Sequence, residues 1–262
     1  IGSAGSGKTS LALNLLANTS KNGVMSVCAS LDMSRNRFFE KILYRQFNKS
    51  REQTFKDFKE QQDMIRAEVQ KEFGNVYIFD RSSPSVESIR EYVMDVEQST
   101  GEKVKLLAID YFERISSEIS EDTAASKRVA SELQDLANDF PHLCVVVFYQ
   151  PNKFSLSGGP DSPILSYTAI KGSSFIYQSC RQILSLWRPF FNPKTQDKDR
   201  YMEMAILKND LGELDTFVFG WGGKTGKIFE LDEIQENQFR ELLREKEDNR
   251  QGATNNHNDG WR

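Results

Sequence analysis

The chain has 262 residues, 38% of them hydrophobic, and a formal net charge of −4, enough to bury a continuous core unaided and too acidic to coat itself in basic surface, which leaves nucleic acid to a few local loops. It contains no run of about 18 apolar residues, so no membrane partner is expected. Its three cysteines lack metal-ligand spacing: Cys28 and Cys144 fall in apolar runs and Cys180 stands alone, so they read as buried, reduced thiols of a cytosolic-type protein.

The first element is Gly2-Ser3-Ala4-Gly5-Ser6-Gly7-Lys8-Thr9, followed by Ser10, which fits the phosphate-loop pattern G-x-x-x-x-G-K-S/T. Glycines let the backbone aim N–H groups at phosphates, Lys8 adds a cation, and the Thr9 hydroxyl can ligate Mg²⁺. Leu11, Leu13, Leu15 and Leu16, with Ala12 and Ala17, predict a helix whose N-terminal dipole faces the anion. Such a loop is normally launched by a buried strand and only Ile1 precedes it, so the chain is expected to be a fragment.

Beyond the loop, apolar runs at 24–31, 76–79, 105–109, 143–149 and 182–187 predict five buried strands. Helical stretches at 35–47, 54–72, 86–98 and 124–139 alternate with them, the pattern of a mostly parallel, twisted α/β sheet with helices on both faces. Segments 201–208 and 214–220, separated by Asp210-Leu211-Gly212, predict a β-hairpin at the C-terminal edge. Residues 1–240 form one ATPase domain on this reading, and the charged, Asn- and Gly-rich tail 241–262 is expected to be disordered.

Polar residues end three of the strands. Asp110 closes Lys105-Leu106-Leu107-Ala108-Ile109, Asp32 follows Ala29-Ser30-Leu31, and Gln150 follows Val147-Phe148-Tyr149. The carboxyl ends of neighbouring strands converge on the ligand crevice of a doubly wound sheet. Asp110 then supports the Mg²⁺ shell, Asp32 orients the attacking water, and Gln150 senses the γ-phosphate. Taken alone, Asp32 is read rather as a cap on the helix beginning near Arg35.

Taken in order, these segments resemble the RecA-like motor domain of DnaB-type replicative DNA helicases, phage versions especially. The resemblance covers nearly the whole chain. It rests on residues 2–9, Ser30-Leu31-Asp32-Met33-Ser34, Val76-Tyr77-Ile78 with Ser83-Pro84-Ser85-Val86 and Ile89-Arg90, Ile109-Asp110-Tyr111, Gln150-Pro151-Asn152-Lys153, and Ile170-Lys171-Gly172-Ser173-Ser174-Phe175-Ile176-Tyr177-Gln178. It implies ATP or another nucleoside triphosphate with Mg²⁺, a homohexameric ring hydrolysing it between subunits, 5′-to-3′ movement on single-stranded DNA, and a primase or helicase loader as a further partner in the cytoplasm. Residue by residue, it implies that Lys8 and Thr9 bind phosphate and metal, Asp110 supports the metal through water, and Gln150 couples γ-phosphate to the DNA loop. Lys208 would reach a neighbour's γ-phosphate, and Lys171, Gly172, Ser173 and Ser174 would contact DNA. The Gly- and Ser-rich segment 151–174 suits a connection that lets a backbone approach phosphodiesters.

Two positions depart from that family. Asp32 stands where the family usually has glutamate, and Asp210 in Lys208-Asn209-Asp210-Leu211-Gly212 occupies the arginine-finger position. An arginine finger is worth about 10³–10⁵ in rate, so slow or conditionally activated hydrolysis is expected unless another arginine, such as Arg181 or Arg200, substitutes. A hydrolysis-poor nucleotide-binding ring subunit and a recombinase-like or clock-like ATPase of the RecA superfamily are the competing readings.

Overall fold

The computed structural model describes residues 1–47, 51–117, 119, 121–151, 170, 173–190, 200–223 and 225–258. Helix α1 (Lys8–Lys21) leads into β1 (Ser26–Ser30), α2 (Arg35–Phe47), α3 (Arg51–Glu60), α4 (Gln62–Phe73), β2 (Val76–Phe79) and α5 (Val86–Thr100). Strand β3 (Leu106–Asp110) follows, then a 3₁₀ turn (Phe112–Arg114), α6 (Asp122–Asp139) and β4 (Cys144–Phe148). The C-terminal part holds α7 (Ser173–Ser179), β5 (Gln182–Trp187), β6 (Tyr201–Asn209), β7 (Thr216–Trp221), β8 (Ile228–Glu230) and α8 (Glu233–Asn258).

Strands β1 to β4 form a parallel sheet in the order β2-β1-β3-β4, with Ser30 level with Asp110 and Asp110 level with Phe148. Its strands are apolar on both faces because helices cover both. Val27, Ala29, Leu107 and Ile109 join one core with Ile89 and Val93 of α5 and Leu133 and Leu136 of α6. The intervening Cys28, Leu106 and Ala108 join the other core with Leu13 and Leu16 of α1 and Phe38 and Ile42 of α2. The period of two along each strand thus sorts residues between two cores rather than between core and solvent.

The fifth expected strand forms where expected but in a different setting. Strand β5 pairs antiparallel with β6, opening a second sheet, β5-β6-β7-β8. An apolar run carries no signal for strand direction. The two sheets meet at Ile1 and Gly2: the Gly2 N–H donates to Tyr149 O at 3.1 Å, after β4, and the Leu186 N–H on β5 donates to Ile1 O at 2.8 Å. The phosphate loop therefore leaves from the line where the sheets join.

Three further expectations are corrected. The helix expected over 54–72 is two helices breaking at Gln61, because α3 answers to α2 through an edge-on Phe39–Phe58 contact while α4 buries Ile65 and Phe73. The segment expected to be disordered from 241 continues α8 as far as Asn258; α8 is anchored earlier by Phe239, 2% exposed, packed against Tyr201 and Phe190. Cys144 is exposed because it opens β4 at the rim of the sheet, whereas Cys28 is buried at its centre.

Buried polar groups fasten α1 to its surroundings. Asn14 donates to Ser10 O and Gly226 O and accepts from Arg45 and the Ile228 N–H, while Arg45 also pairs with Glu72 at 2.7 Å. Arg45→Ala takes one of two donors from Asn14 Oδ1, which keeps the Ile228 N–H, and removes a cation from Glu72, which keeps only Lys21. Urea denaturation is expected to show a loss of about 3 kcal/mol, the low end for breaking a buried pair.

Candidate functional site

Gly5 and Gly7 both adopt left-handed backbone, φ 80° and 97°, bending the chain back on itself before α1. Helix α1 begins without a side-chain cap and without an acid in its first turn. Its leading N–H groups and positive dipole end are thus presented to whatever anion the loop holds. Lys8 is 8% exposed and its ammonium donates to Gly2 O at 2.7 Å, Ser3 O at 2.9 Å and Gln150 Oε1 at 3.4 Å. Burial lowers the Lys8 pKa, with Asp110, Glu113 and Asp32 acting in the opposite direction. The loop's own carbonyls hold the cation, and a phosphate would offer it stronger acceptors.

Asp110, at the end of β3, lies beneath Thr9, whose hydroxyl donates to Asp110 Oδ2 at 2.7 Å. Desolvation raises the Asp110 pKa, against the Thr9 hydrogen bond and the charge of Lys8. This hydroxyl–carboxylate pair is a hard-oxygen donor set of the kind Mg²⁺ takes when phosphates and water complete its shell. The expected convergence of Lys8, Thr9, Asp110 and Gln150 is thus present in the fold.

Asp32 does not cap α2. The first N–H of that helix, on Arg35, is accepted by Asp80 Oδ2 at 2.9 Å, and Asp32 instead receives Arg114 Nη2 at 2.9 Å. Lys208 turns away from the loop and caps α7, donating to Tyr177 O and Cys180 O, with Asp210 beside it at 3.3 Å. Arg181 and Arg200 are exposed near that hairpin, their carbonyls accepting from the Asp210 and Trp221 N–H groups. Of the expected DNA contacts, Lys171 and Gly172 lie outside the described residues, while Ser173 begins α7 and Ser174 is exposed on its first turn.

Four residues at the site carry no motif signal. Glu113 accepts the Gln150 N–H at 2.9 Å, tying the end of β4 to the turn after β3; desolvation pushes its pKa up to about 7. Arg188 donates to Gly5 O at 2.7 Å and lies over the Trp221 ring at 4.3 Å, and desolvation lowers its pKa to about 10. Met202 and Trp221 pack directly against Gly7 from the second sheet. Ser6 Oγ and Trp221 Nε1 are buried with no hydrogen-bond partner among the described residues, and both border the loop. Only periodicity marks Met202 and Trp221 in the sequence, as ordinary sheet positions.

Residues 1–230 match the family model described as the DnaB-like helicase C terminal domain. No curated protein matches the chain. Among solved structures it is similar to one described as an ATPase domain, at 18% identity and TM-score 0.74, covering 88% of this chain and 83% of that one. It is equally similar in fold to a DnaB-like replicative helicase described with its interactions with primase, at 19% identity and TM-score 0.74; there it covers 88% of this chain but spans only 57% of the other. A KaiC-like protein from the hyperthermophilic archaeon Pyrococcus horikoshii is more distant, at 14% identity and TM-score 0.56, covering 88% and 87%. At these identities the structural likenesses speak for the RecA-like fold alone.

Proposed function

The chain belongs to the DnaB-like helicase C-terminal domain family, and on that premise we propose that it is the ATP-driven motor of a replicative DNA helicase, working as a hexameric ring that moves 5′-to-3′ on single-stranded DNA. The observation that carries this reading is the meeting of Lys8, Thr9, Asp110 and Gln150 around one phosphate loop. ATP enters with its phosphates along the uncapped start of α1, displacing Gly2 O and Ser3 O as acceptors of the Lys8 ammonium. Mg²⁺, held by the Thr9 hydroxyl and through water by Asp110, would neutralise charge on the β- and γ-phosphates. A water oxygen bonds to the γ-phosphorus as the bond to the β-phosphate oxygen breaks; Asp32 takes the water's proton, and ADP and inorganic phosphate leave.

On this reading Gln150 reports the γ-phosphate. Its side chain reaches Lys8, its backbone N–H is held by Glu113, and the chain runs on from it into 151–174. A ligand that shifts Lys8 therefore pulls at the root of the segment proposed to carry the DNA contacts Lys171, Gly172, Ser173 and Ser174. Primase or a helicase loader would act on the assembled ring, and the hairpin around Lys208 would face the next subunit.

An ATPase assay on the full-length protein with and without oligo(dT) tests the reading. Hydrolysis is expected to rise with DNA, and unwinding is expected on forks with a 5′ tail but not a 3′ tail. Hydrolysis indifferent to DNA would leave a nucleotide-binding module and reject the motor.

A further inference from the structure

Hydrolysis at this site needs a second cation against the charge that develops on the transferring phosphoryl group. The hairpin does not offer one freely, since Lys208 is held by two carbonyls at the end of α7 and its neighbour is the acid Asp210. Arg188 is committed to Gly5 O and the Trp221 ring, and Arg35 to Asp80 at the end of β2. The geometry points to Arg114: we propose that it is the charge-stabilising arginine of phosphoryl transfer, supplied from within the same chain and held by Asp32 until ATP arrives. This rests on the nucleotide reading above.

The 3₁₀ turn Phe112–Arg114 follows Asp110 after Tyr111; in it Arg114 meets Asp32 and its neighbour Glu113 meets the Gln150 N–H. Its guanidinium is held at two points. Nε donates to Tyr111 OH at 3.1 Å with the group lying over that ring at 5.5 Å, and Nη2 donates to Asp32 Oδ1 at 2.9 Å. The Asp32 pair is solvent-facing, with side chains 51% and 45% exposed, and exposed pairs contribute little to stability. Its use is therefore positional. It stores a planar, always-charged fork beside the carboxylate placed to receive a proton from water.

A γ-phosphate at Lys8 presents more charge than Asp32 and oxygens spaced for a two-pronged contact. Nη2 then leaves Asp32 for the phosphate while Nε stays on Tyr111, so the side chain turns about a fixed anchor. The same exchange frees the Asp32 carboxylate to take the water's proton. The charge stabiliser and the base are thus released together, by the substrate itself, and no neighbouring subunit has to deliver an arginine.

The test uses full-length protein and three measurements: equilibrium binding of a fluorescent ATP analogue, capture of ADP with aluminium fluoride as a transition-state mimic, and steady-state hydrolysis. Arg114→Ala is expected to bind the ATP analogue nearly as wild type does, to lose fluoride-dependent capture of ADP, and to hydrolyse about 10³-fold more slowly. Arg114→Lys keeps the charge but not the fork and is expected to recover capture only in part. A purely structural Arg114 would lower the melting temperature and analogue binding while leaving capture intact. Wild-type capture by Arg114→Ala overturns the proposal, as does a wild-type protein that binds the analogue but captures no ADP. Failure of wild type to bind the analogue at all would remove the nucleotide reading together with this one. Capture that depends on Arg114 alongside DNA-independent hydrolysis would reject only the motor.

Discussion

Lys8→Ala is expected to lower ATP hydrolysis by at least about 10²–10³-fold, the range for losing one preorganised donor to a reacting phosphoryl or acyl group. Affinity for ATP should fall by roughly 10- to 100-fold, the equivalent of one charge-assisted hydrogen bond. The nucleotide-free protein should not be weakened correspondingly. Lys8 is buried and its pKa is pushed down by that burial, so the ammonium is a group the fold accommodates against its own interest. Removing it relieves desolvation while costing contacts to Gly2 O and Ser3 O. The melting temperature without nucleotide is expected to hold or rise, whereas the shift produced by a fixed ATP concentration should shrink in line with the weaker affinity. An apo melting temperature that collapses in Lys8→Ala would recast Lys8 as a structural residue.

The second large effect is expected at Gly7. Its backbone stands at φ 97°, and a Cβ added there would collide with Met202 Cε and lie 3.1 Å from Trp221 Cζ3. The end of the Met202 side chain can turn aside, but the Trp221 ring behind it is rigid and 5% exposed in the same cluster, so the contact is relieved only in part. Gly7→Ala is expected to lose about 1–3 kcal/mol from backbone strain, with an added packing penalty, and to bind ATP poorly because the N–H groups of the loop are re-aimed. Gly101→Ala separates the two contributions: Gly101 is also left-handed, φ 72°, with no atom within 4 Å of an added Cβ. Urea denaturation should place Gly7→Ala well below Gly101→Ala. Equal losses would mean that the second sheet does not press on the loop.

Much of the parallel half was legible because its signals are local. Apolar runs bounded β1, β3 and β4 to within two residues, and a strand that ends in an acid 101 positions after the loop's threonine is the spacing that brings Asp110 under Thr9. The missing parts depend on contacts between distant, individually ordinary residues. Asp32 by itself looked like a cap for α2, and only the fold shows Asp80 in that role and Arg114, 82 positions away, against Asp32. Arg188 over Trp221 joins two parts of the second sheet with no characteristic spacing between them. Strand direction at β5 was invisible for the same reason, since hydrophobic period reports burial and not polarity of the chain. The helix α8 was lost because its composition resembles that of a solvated tail, while Phe239 supplies its anchor from a single position.

Gly2 has a neighbour on each side: Tyr149 at the end of the parallel sheet and Leu186 in the antiparallel one. The root of the phosphate loop is therefore a rivet through two plates rather than a loop hung from one. Strain placed on it by a bound triphosphate would be divided between β4, which leads to Gln150, and β5, which leads back through β6 to Lys208 and the hairpin. On the proposed reading, a single chemical event at the nucleotide would in this way address the segments assigned to DNA and to a neighbouring subunit simultaneously, without a relay passing from one to the other.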